Sequence, residues 1–231
     1  TFGKKIAAMN ADVVIDLITF KAESTYQMVE ALKGTNLSHY LFCASIWAHG
    51  HATIVPAPED LPRHPLEDYG INTGPGWNCI NPTGNLDPLV FQKIGRGEGI
   101  VLPNMGMETV QHVHADDVAQ VFMNAICYRG QALGESFHAV APHAMTLLGF
   151  AEAMYAWFGK QPDISFLPWK EWCEHTAVDS FINSTWSHVT HSDNYSIEKG
   201  KKLINYNPRY TILQAVEESV NSMLERGVIT V

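Results

Sequence analysis

A serine closes the apolar run Leu41-Phe42-Cys43-Ala44-Ser45, and Tyr69 follows it 24 residues later. A hydroxyl at a strand end can hydrogen-bond a reacting hydroxyl or ketone, and a phenol can move the proton. A free tyrosine titrates near ~10, so Tyr69 needs a cation beside it to act at neutral pH. Between the two residues lie Gly50, which makes a turn, and a proline-rich loop.

Other groups could line a pocket. Asp16-Leu17-Ile18-Thr19 leaves an earlier apolar run. Trp47, His49, Gln111 and His112 bring polar and aromatic surface, as do Trp77, Asn78, Asn81, Asn85 and Trp186 in presumed loops. His112 and His114, with Asp116 nearby, share one side if they sit on a strand. A metal site needs a further ligand at usual spacing, and none is evident, so no metal is expected.

These residues need elements to hold them. Ala11 to Asp16 reads as a buried parallel strand, and Ser24 to Lys33 as a helix stopped by Gly34. His39 to Ala44 is the next strand. This order predicts a right-handed parallel crossover, and a loop after a parallel strand is where α/β sites sit. His51 to Asp68 forms that loop. Asp87 to Arg96 should be a helix and Gly99 to Leu102 a strand. Val118, Val121, Phe122, Ala125 and Ile126 make a one-sided helical stripe, with Asp116 or Asp117 as its N-cap. Glu135 to Val140 reads as a strand, and Leu147 to Phe158 as a helix ended by Gly159. Ile164 to Leu167 is a strand. Trp169 to Cys173, Ser196 to Ile204 and the segment from Ile212 to Leu224 are helical.

Composition narrows the classes. The chain has 231 residues, 46% of them apolar and 17% charged, which suits one globular domain or a domain with a small lobe. No apolar run reaches the length of a membrane span, and residues 1–10 show no charged-then-apolar leader. Cys43, Cys79, Cys127 and Cys173 show no paired spacing and read as reduced thiols in a cytoplasmic protein, with Cys43 and Cys127 in the core. A net charge of -9 disfavours nucleic acid and acidic membrane surfaces.

The serine at a strand end, the glycine five residues later and the downstream tyrosine resemble the catalytic centre of the extended short-chain dehydrogenase/reductases, the NAD-dependent epimerase/dehydratase family. Thr109-Val110-Gln111-His112-Val113-His114-Ala115-Asp116-Asp117-Val118 is similar to that family's Thr-Arg-Asp-Phe-Val-His-Val-Asp-Asp-Val segment, and Tyr206-Asn207-Pro208-Arg209-Tyr210 to its Gly-Tyr-x-Pro-Arg ending. The resemblance implies an α/β fold, a Rossmann-type doubly wound parallel sheet with a small C-terminal substrate lobe. It implies NAD or NADP as cofactor. Ser45 and Tyr69 would be catalytic, Tyr69 as acid/base and Ser45 as hydrogen-bond partner. Leu17, Ile18, Thr19, Ala44 and Tyr69 would touch the cofactor. Trp47, His49, Asn85, Gln111 and His112 would touch a sugar or sugar-nucleotide substrate. The reaction implied is epimerase, dehydratase or reductase work on a sugar-like hydroxyl or ketone. The alternative is a non-catalytic scaffold or RNA-binding relative, and a homodimer stays open.

The chain also departs from that pattern. The family places a lysine four residues after its tyrosine, where Thr73 stands here. Val110 replaces the arginine that grips the diphosphate of a nucleotide sugar, and a valine makes no bidentate phosphate contact. No Gly-x-Gly-x-x-Gly turn follows any strand. Residues 1–76 therefore read as the remainder of a dinucleotide-binding domain, with βα units expected before Thr1 and further chain between Gly70 and Ile71. Residues 77–231 read mainly as the substrate lobe with returning elements of the first domain.

Overall fold

The computed structural model describes residues 1–18, 22–61 and 88–231. Two parallel strands open the fold. Strand β1 (Val13–Asp16) and strand β2 (His39–Phe42) run in register from Val13 opposite His39 to Asp16 opposite Phe42. Helix α1 (Phe2–Ala8) precedes β1, and helix α2 (Ala22–Leu32) makes the crossover. Met28 and Leu32 bury the inner face of α2. The chain leaves this helix through Gly34 at φ 75°, a conformation that a side chain would strain. Helix α1 lies across α2 at Gly3, where an added Cβ would stand 2.9 Å from that of Ala31.

A second parallel pair joins β3 (Ile100–Pro103) to β6 (Ile164–Leu167). Helices α3 (Pro88–Arg96), α6 (Leu147–Trp157) and α10 (Ile212–Glu225) pack around it. Pro88 sits in the first turn of α3, where its missing N–H costs nothing. Phe91, Ile94, Met154, Tyr155, Val216, Val220 and Met223 fill this core. Helix α10 starts on a capping box. Thr211 Oγ accepts the Gln214 N–H at 3.2 Å, and Gln214 Oε1 accepts the Thr211 N–H at 2.9 Å. A short antiparallel pair, β4 (Thr109–Val110) and β5 (Met145–Thr146), leads into α6.

The other core is built by α4 (Ala115–Cys127), α5 (Arg129–Ala132) and α9 (Glu198–Ile204). Val121 and Ala125 are the buried heart of the expected stripe on α4. Residues 52–61 belong to the same core. Ala57 donates its N–H to the Asn194 carbonyl at 2.7 Å, and Ser196 returns a bond to the Ala57 carbonyl at 2.8 Å. The loop after β2 is thus tied to the C-terminal half. Helices α7 (Trp169–Thr176) and α8 (Asp179–His191) complete the described residues.

Several sequence expectations change. The N-cap of α4 is His114, whose Nδ1 accepts the Asp116 N–H at 3.1 Å, rather than Asp116 or Asp117. Asp117 is fully buried because its carboxylate accepts the N–H groups of Arg209 (2.9 Å) and Tyr210 (3.1 Å), fastening the Pro-Arg ending to α4. Residues 135–140 form no strand. The Val140 carbonyl accepts the Tyr206 hydroxyl at 2.9 Å instead of a ladder bond. His112 and His114 follow β4 outside any strand, so the same-side argument for a metal falls. Cys127 is exposed at the end of α4, not core, and Cys43 is half-buried.

Candidate functional site

The last pair of the first sheet, Asp16 and Phe42, brings the two strand exits side by side. The Cys43 N–H donates to the Asp16 carbonyl at 2.9 Å, so Leu17-Ile18 and Ala44-Ser45 leave the sheet as neighbours. Leu17 and Ile18 are 50% and 56% exposed, and Ala44 and Ser45 are exposed. These side chains lie at the carboxyl ends of parallel strands, where open α/β sheets place their ligands. The buried Asp16 carboxylate holds the exit in shape. It accepts the Ile18 N–H at 3.1 Å and the Tyr40 hydroxyl at 2.8 Å. Burial and this carboxylate push the Tyr40 phenol well above its usual range.

Ser45 caps a 3₁₀ turn, Ile46–His49, and its Oγ accepts the Trp47 N–H at 3.2 Å. That bond uses a lone pair and leaves the hydroxyl proton for a ligand. Thr19, Tyr69 and Asn85 lie outside the described residues, as do Thr73, Trp77, Asn78 and Asn81.

The turn carries Trp47 and His49 into a cluster of imidazoles. Trp47 Nε1 donates to Asp193 Oδ1 at 3.1 Å. Its ring stacks on His191 at 4.5 Å and meets His188 edge-on at 5.1 Å. His49 meets His138, with Nε2 to Nε2 at 3.1 Å, and His138 Nδ1 lies 2.9 Å from the Ser196 carbonyl. Burial lowers His112 to about 4. It does the same to His138, with His49 and Lys199 adding to the effect and the Ser196 carbonyl opposing it. His188 also falls to about 4, through burial and then the neighbouring His112 and His191. These rings are neutral at pH 7. Burial pushes Asp193 up to about 6 against the bonds from Trp47 and Tyr195.

Gln111 and His112 follow β4, and His112 neighbours His188 of the imidazole cluster. The Gln111 amide donates to the carbonyls of Ala141 (2.8 Å) and Tyr195 (3.1 Å), and its oxygen accepts the Tyr195 N–H at 2.7 Å. Those bonds brace the segment that follows α8. His112 packs beside Phe150, with ring centroids 5.9 Å apart. Val110 is buried in β4 opposite Met145, a position without room for a solvated guanidinium. His114 stacks on Tyr210 at 3.8 Å and bonds Glu218 at 3.0 Å. Among the described residues no group of three or more His, Cys, Asp or Glu side chains could hold a metal ion. Trp186 packs against Trp169 at 5.0 Å, which in turn stacks on Trp172.

Sequence reasoning missed His138, His188, His191 and Asp193. The signal for part of this set is the spacing of His188 and His191, three apart at the end of a helix that presents both on one side. Nothing in the local sequence points His138 at His49.

No protein-family model matches the chain. Among curated proteins it is similar to the chloroplast stem-loop binding protein of 41 kDa b from Arabidopsis thaliana, 25% identical over 244 residues. That match takes in 96% of this chain, which spans 61% of the relative's length. Among solved structures it is similar to UDP-glucuronic acid 4-epimerase from Bacillus cereus in complex with NAD. The TM-score is 0.66 at 15% identity, over 96% of this chain and 78% of the other. UDP-glucose 4-epimerase from Thermotoga maritima with UDP-glucose gives a TM-score of 0.65 at 13% identity, over 97% and 81%. dTDP-glucose 4,6-dehydratase from Bacillus anthracis in complex with NAD gives 0.64 at 15% identity, over 98% and 78%.

Proposed function

We propose, from a chain that has the Rossmann-type α/β fold of the extended short-chain dehydrogenase/reductases, an enzyme that oxidises or epimerises a sugar-like hydroxyl with a nicotinamide cofactor. The observation that carries this reading is the pair of strand exits, Leu17-Ile18 beside Ala44-Ser45, open at the carboxyl end of a parallel sheet. The exposed apolar surface of Leu17 and Ile18 fits a flat nicotinamide, and with Ala44 these residues would hold it. Thr19 and Tyr69 complete that set by resemblance. A bound NAD or NADP supplies a hydride acceptor. The Ser45 hydroxyl hydrogen-bonds the reacting oxygen, and Tyr69 takes or returns its proton. Trp47 and His49 line the substrate side, with Asn85 by resemblance; Gln111 and His112 support it from behind.

Val110 shapes the substrate choice. One charge-assisted contact is worth about 1.5–3 kcal/mol, so a sugar diphosphate binds more weakly here than where an arginine stands. Among the described residues no helix is long and apolar enough to cross a membrane. Cys127 and Cys173 are free thiols, which suits a reducing compartment such as the cytoplasm. The test is calorimetric titration of the full-length protein with NAD and NADP, followed by product analysis with UDP-glucose. Binding of one dinucleotide and a Ser45-dependent product are expected. A protein that binds neither dinucleotide overturns the reading.

A second reading is binding of structured RNA, favoured by the similarity to the chloroplast stem-loop binding protein from Arabidopsis thaliana. The net charge of -9 counts against it, since phosphate contacts need a basic surface. A mobility-shift titration with a stem-loop RNA at physiological salt decides between them. No shift is expected, and a salt-sensitive shift would favour the RNA reading.

A further inference from the structure

Titrating groups hold Trp47 from several sides. Its ring stacks on His191 and meets His188 edge-on, and its indole N–H donates to Asp193. His49, two residues on in the same turn, shares a hydrogen bond with His138, their Nε2 atoms 3.1 Å apart. Ser45 caps that turn by accepting the Trp47 N–H. Other segments bring further groups to the cluster. His51 stands 6.2 Å from His191, and His112, after β4, faces His188. Lys199 on α9 faces His138, and Tyr195 bonds Asp193. Asp193 is the one carboxylate among these groups.

The hydrogen bonds of the cluster leave no place for extra protons. A carbonyl only accepts, so His138 keeps its proton on Nδ1, toward the Ser196 carbonyl at 2.9 Å, and its Nε2 accepts from His49. A second proton on His138 would set two N–H groups head to head. His49 could yield only by moving its proton to Nδ1, which is buried with no hydrogen-bond partner among the described residues. His188 Nε2 is buried in the same way, so a cationic His188 would carry an N–H without an acceptor, beside His112 and His191. Lys199 adds its repulsion at His138. Two groups act in the opposite sense. The face of Trp47 can carry a cationic His191. Burial makes Asp193 keep its proton up to about 6, so its titration favours the closed cluster. Below that value, however, Asp193 no longer offers a negative charge to balance an imidazolium.

We infer that this cluster is an acid-sensitive clasp: when His138 and His188 take up protons, Trp47 parts from Asp193 and α8, and the turn capped by Ser45 opens. Closed, both rings are held at about 4; open to water, they titrate near 6.5. The open form therefore binds more protons, and acid favours it, from below about 6.5 down to about 4. Between pH 7 and pH 5 each ring shifts the balance toward opening by about 20-fold, and Asp193 shifts it back by about tenfold, which leaves a net change of about 40-fold. The clasp stands on these contacts alone; its consequence for a reaction rests on the reading of the strand exits as the reaction site.

The test is hydrogen exchange of the Trp47 indole N–H, followed by NMR in the full-length protein, with the signal assigned by its loss in Trp47→Phe. Its protection relative to free tryptophan at the same pH should fall by about 40-fold from pH 7 to pH 5. It should stay below the protection of the Val220 amide, which is buried in α10 and exchanges when the whole fold opens. A protection of Trp47 that does not change with pH overturns the inference. So does exchange that matches Val220 at every pH, which is global unfolding alone. His188→Phe keeps a ring against Trp47 and cannot titrate, and His138→Gln keeps an oxygen that accepts from His49. In either variant the fall should shrink to about twofold. Melting curves show which variants fold; an undiminished fall in a folded variant overturns the inference, and if neither folds the wild-type profile decides. In assays with NAD and UDP-glucose, wild-type turnover should fade reversibly over the same range. A clasp that opens in a protein that uses neither compound, or that keeps its full rate, leaves the inference standing and overturns the reading of the strand exits.

Discussion

The indole N–H of Trp47 donates to Asp193 Oδ1 at 3.1 Å across 146 residues of sequence, while the backbone N–H of the same tryptophan donates to Ser45 Oγ at 3.2 Å. The loop after α8 therefore helps to set the turn that orients the candidate catalytic serine. Asp193→Ala removes the acceptor of this indole N–H, which costs about 1–3 kcal/mol. Asp193→Asn keeps an acceptor and should cost less. Thermal unfolding of the two variants checks this, at roughly 2–4 °C per kcal/mol for a chain of this size. Equal melting temperatures for Ala and Asn would show that the bond does not hold the turn.

Tyr69→Phe should remove turnover in the full-length protein, by roughly 10²–10⁴-fold, and leave dinucleotide affinity nearly unchanged, since the role proposed for the phenol is proton transfer. Ser45→Ala should slow the reaction less, because one hydrogen bond is lost. Steady-state rates with NAD and UDP-glucose, beside calorimetric NAD affinities, separate the two. An unchanged kcat in Tyr69→Phe removes the assignment.

Stability should rise with pH between about 4 and 6.5. His112, His138 and His188 are lowered to about 4 from 6.5, and His39 is lowered too, all chiefly by burial. Across that window the unfolded chain binds more protons at these sites, so raising pH favours the fold. Asp193, raised from 3.8 to about 6, and the raised Glu59 act in the opposite sense, because the folded state keeps their protons as pH rises. The four imidazoles outnumber the two carboxyls. Urea midpoints measured at intervals from pH 4 to 7 read the net slope, and a flat or falling profile would refute it.

Asp117→Ala should be among the most damaging single changes. The carboxylate is fully buried and accepts two backbone N–H groups, from Arg209 and Tyr210. Hydrogen bonds to a charged group contribute about 1.5–3 kcal/mol each, and the orphaned donors add a desolvation cost. Asp117→Asn keeps one acceptor and should lie between. Urea unfolding of both variants gives the comparison, and an Asp117→Ala protein as stable as wild type would show that the Pro-Arg ending is held by packing alone.

The local pattern of the chain determined the frame. Val13, Val14 and Ile15 form a strand because they are β-branched and apolar in a short run, and the stripe of α4 forms because its spacing puts Val121 and Ala125 on one side. The parallel crossover then follows, since a strand, helix and strand in that order have few other ways to pack. Ser45 at the strand exit was legible for the same reason. Tertiary structure decided what sits around it. Residues 135–140 look like a strand, yet the Val140 carbonyl bonds the Tyr206 hydroxyl, and the next carbonyl, of Ala141, bonds the Gln111 amide, both from distant elements. Asp117 has the chemistry of a cap, but the tail at Arg209 takes its carboxylate and leaves His114 to cap the helix. His138 reaches His49 across 89 residues, and its proton goes where the Ser196 carbonyl accepts it. Hydrogen-bond partners of this kind are set by where three separate segments meet, and no local periodicity encodes that meeting.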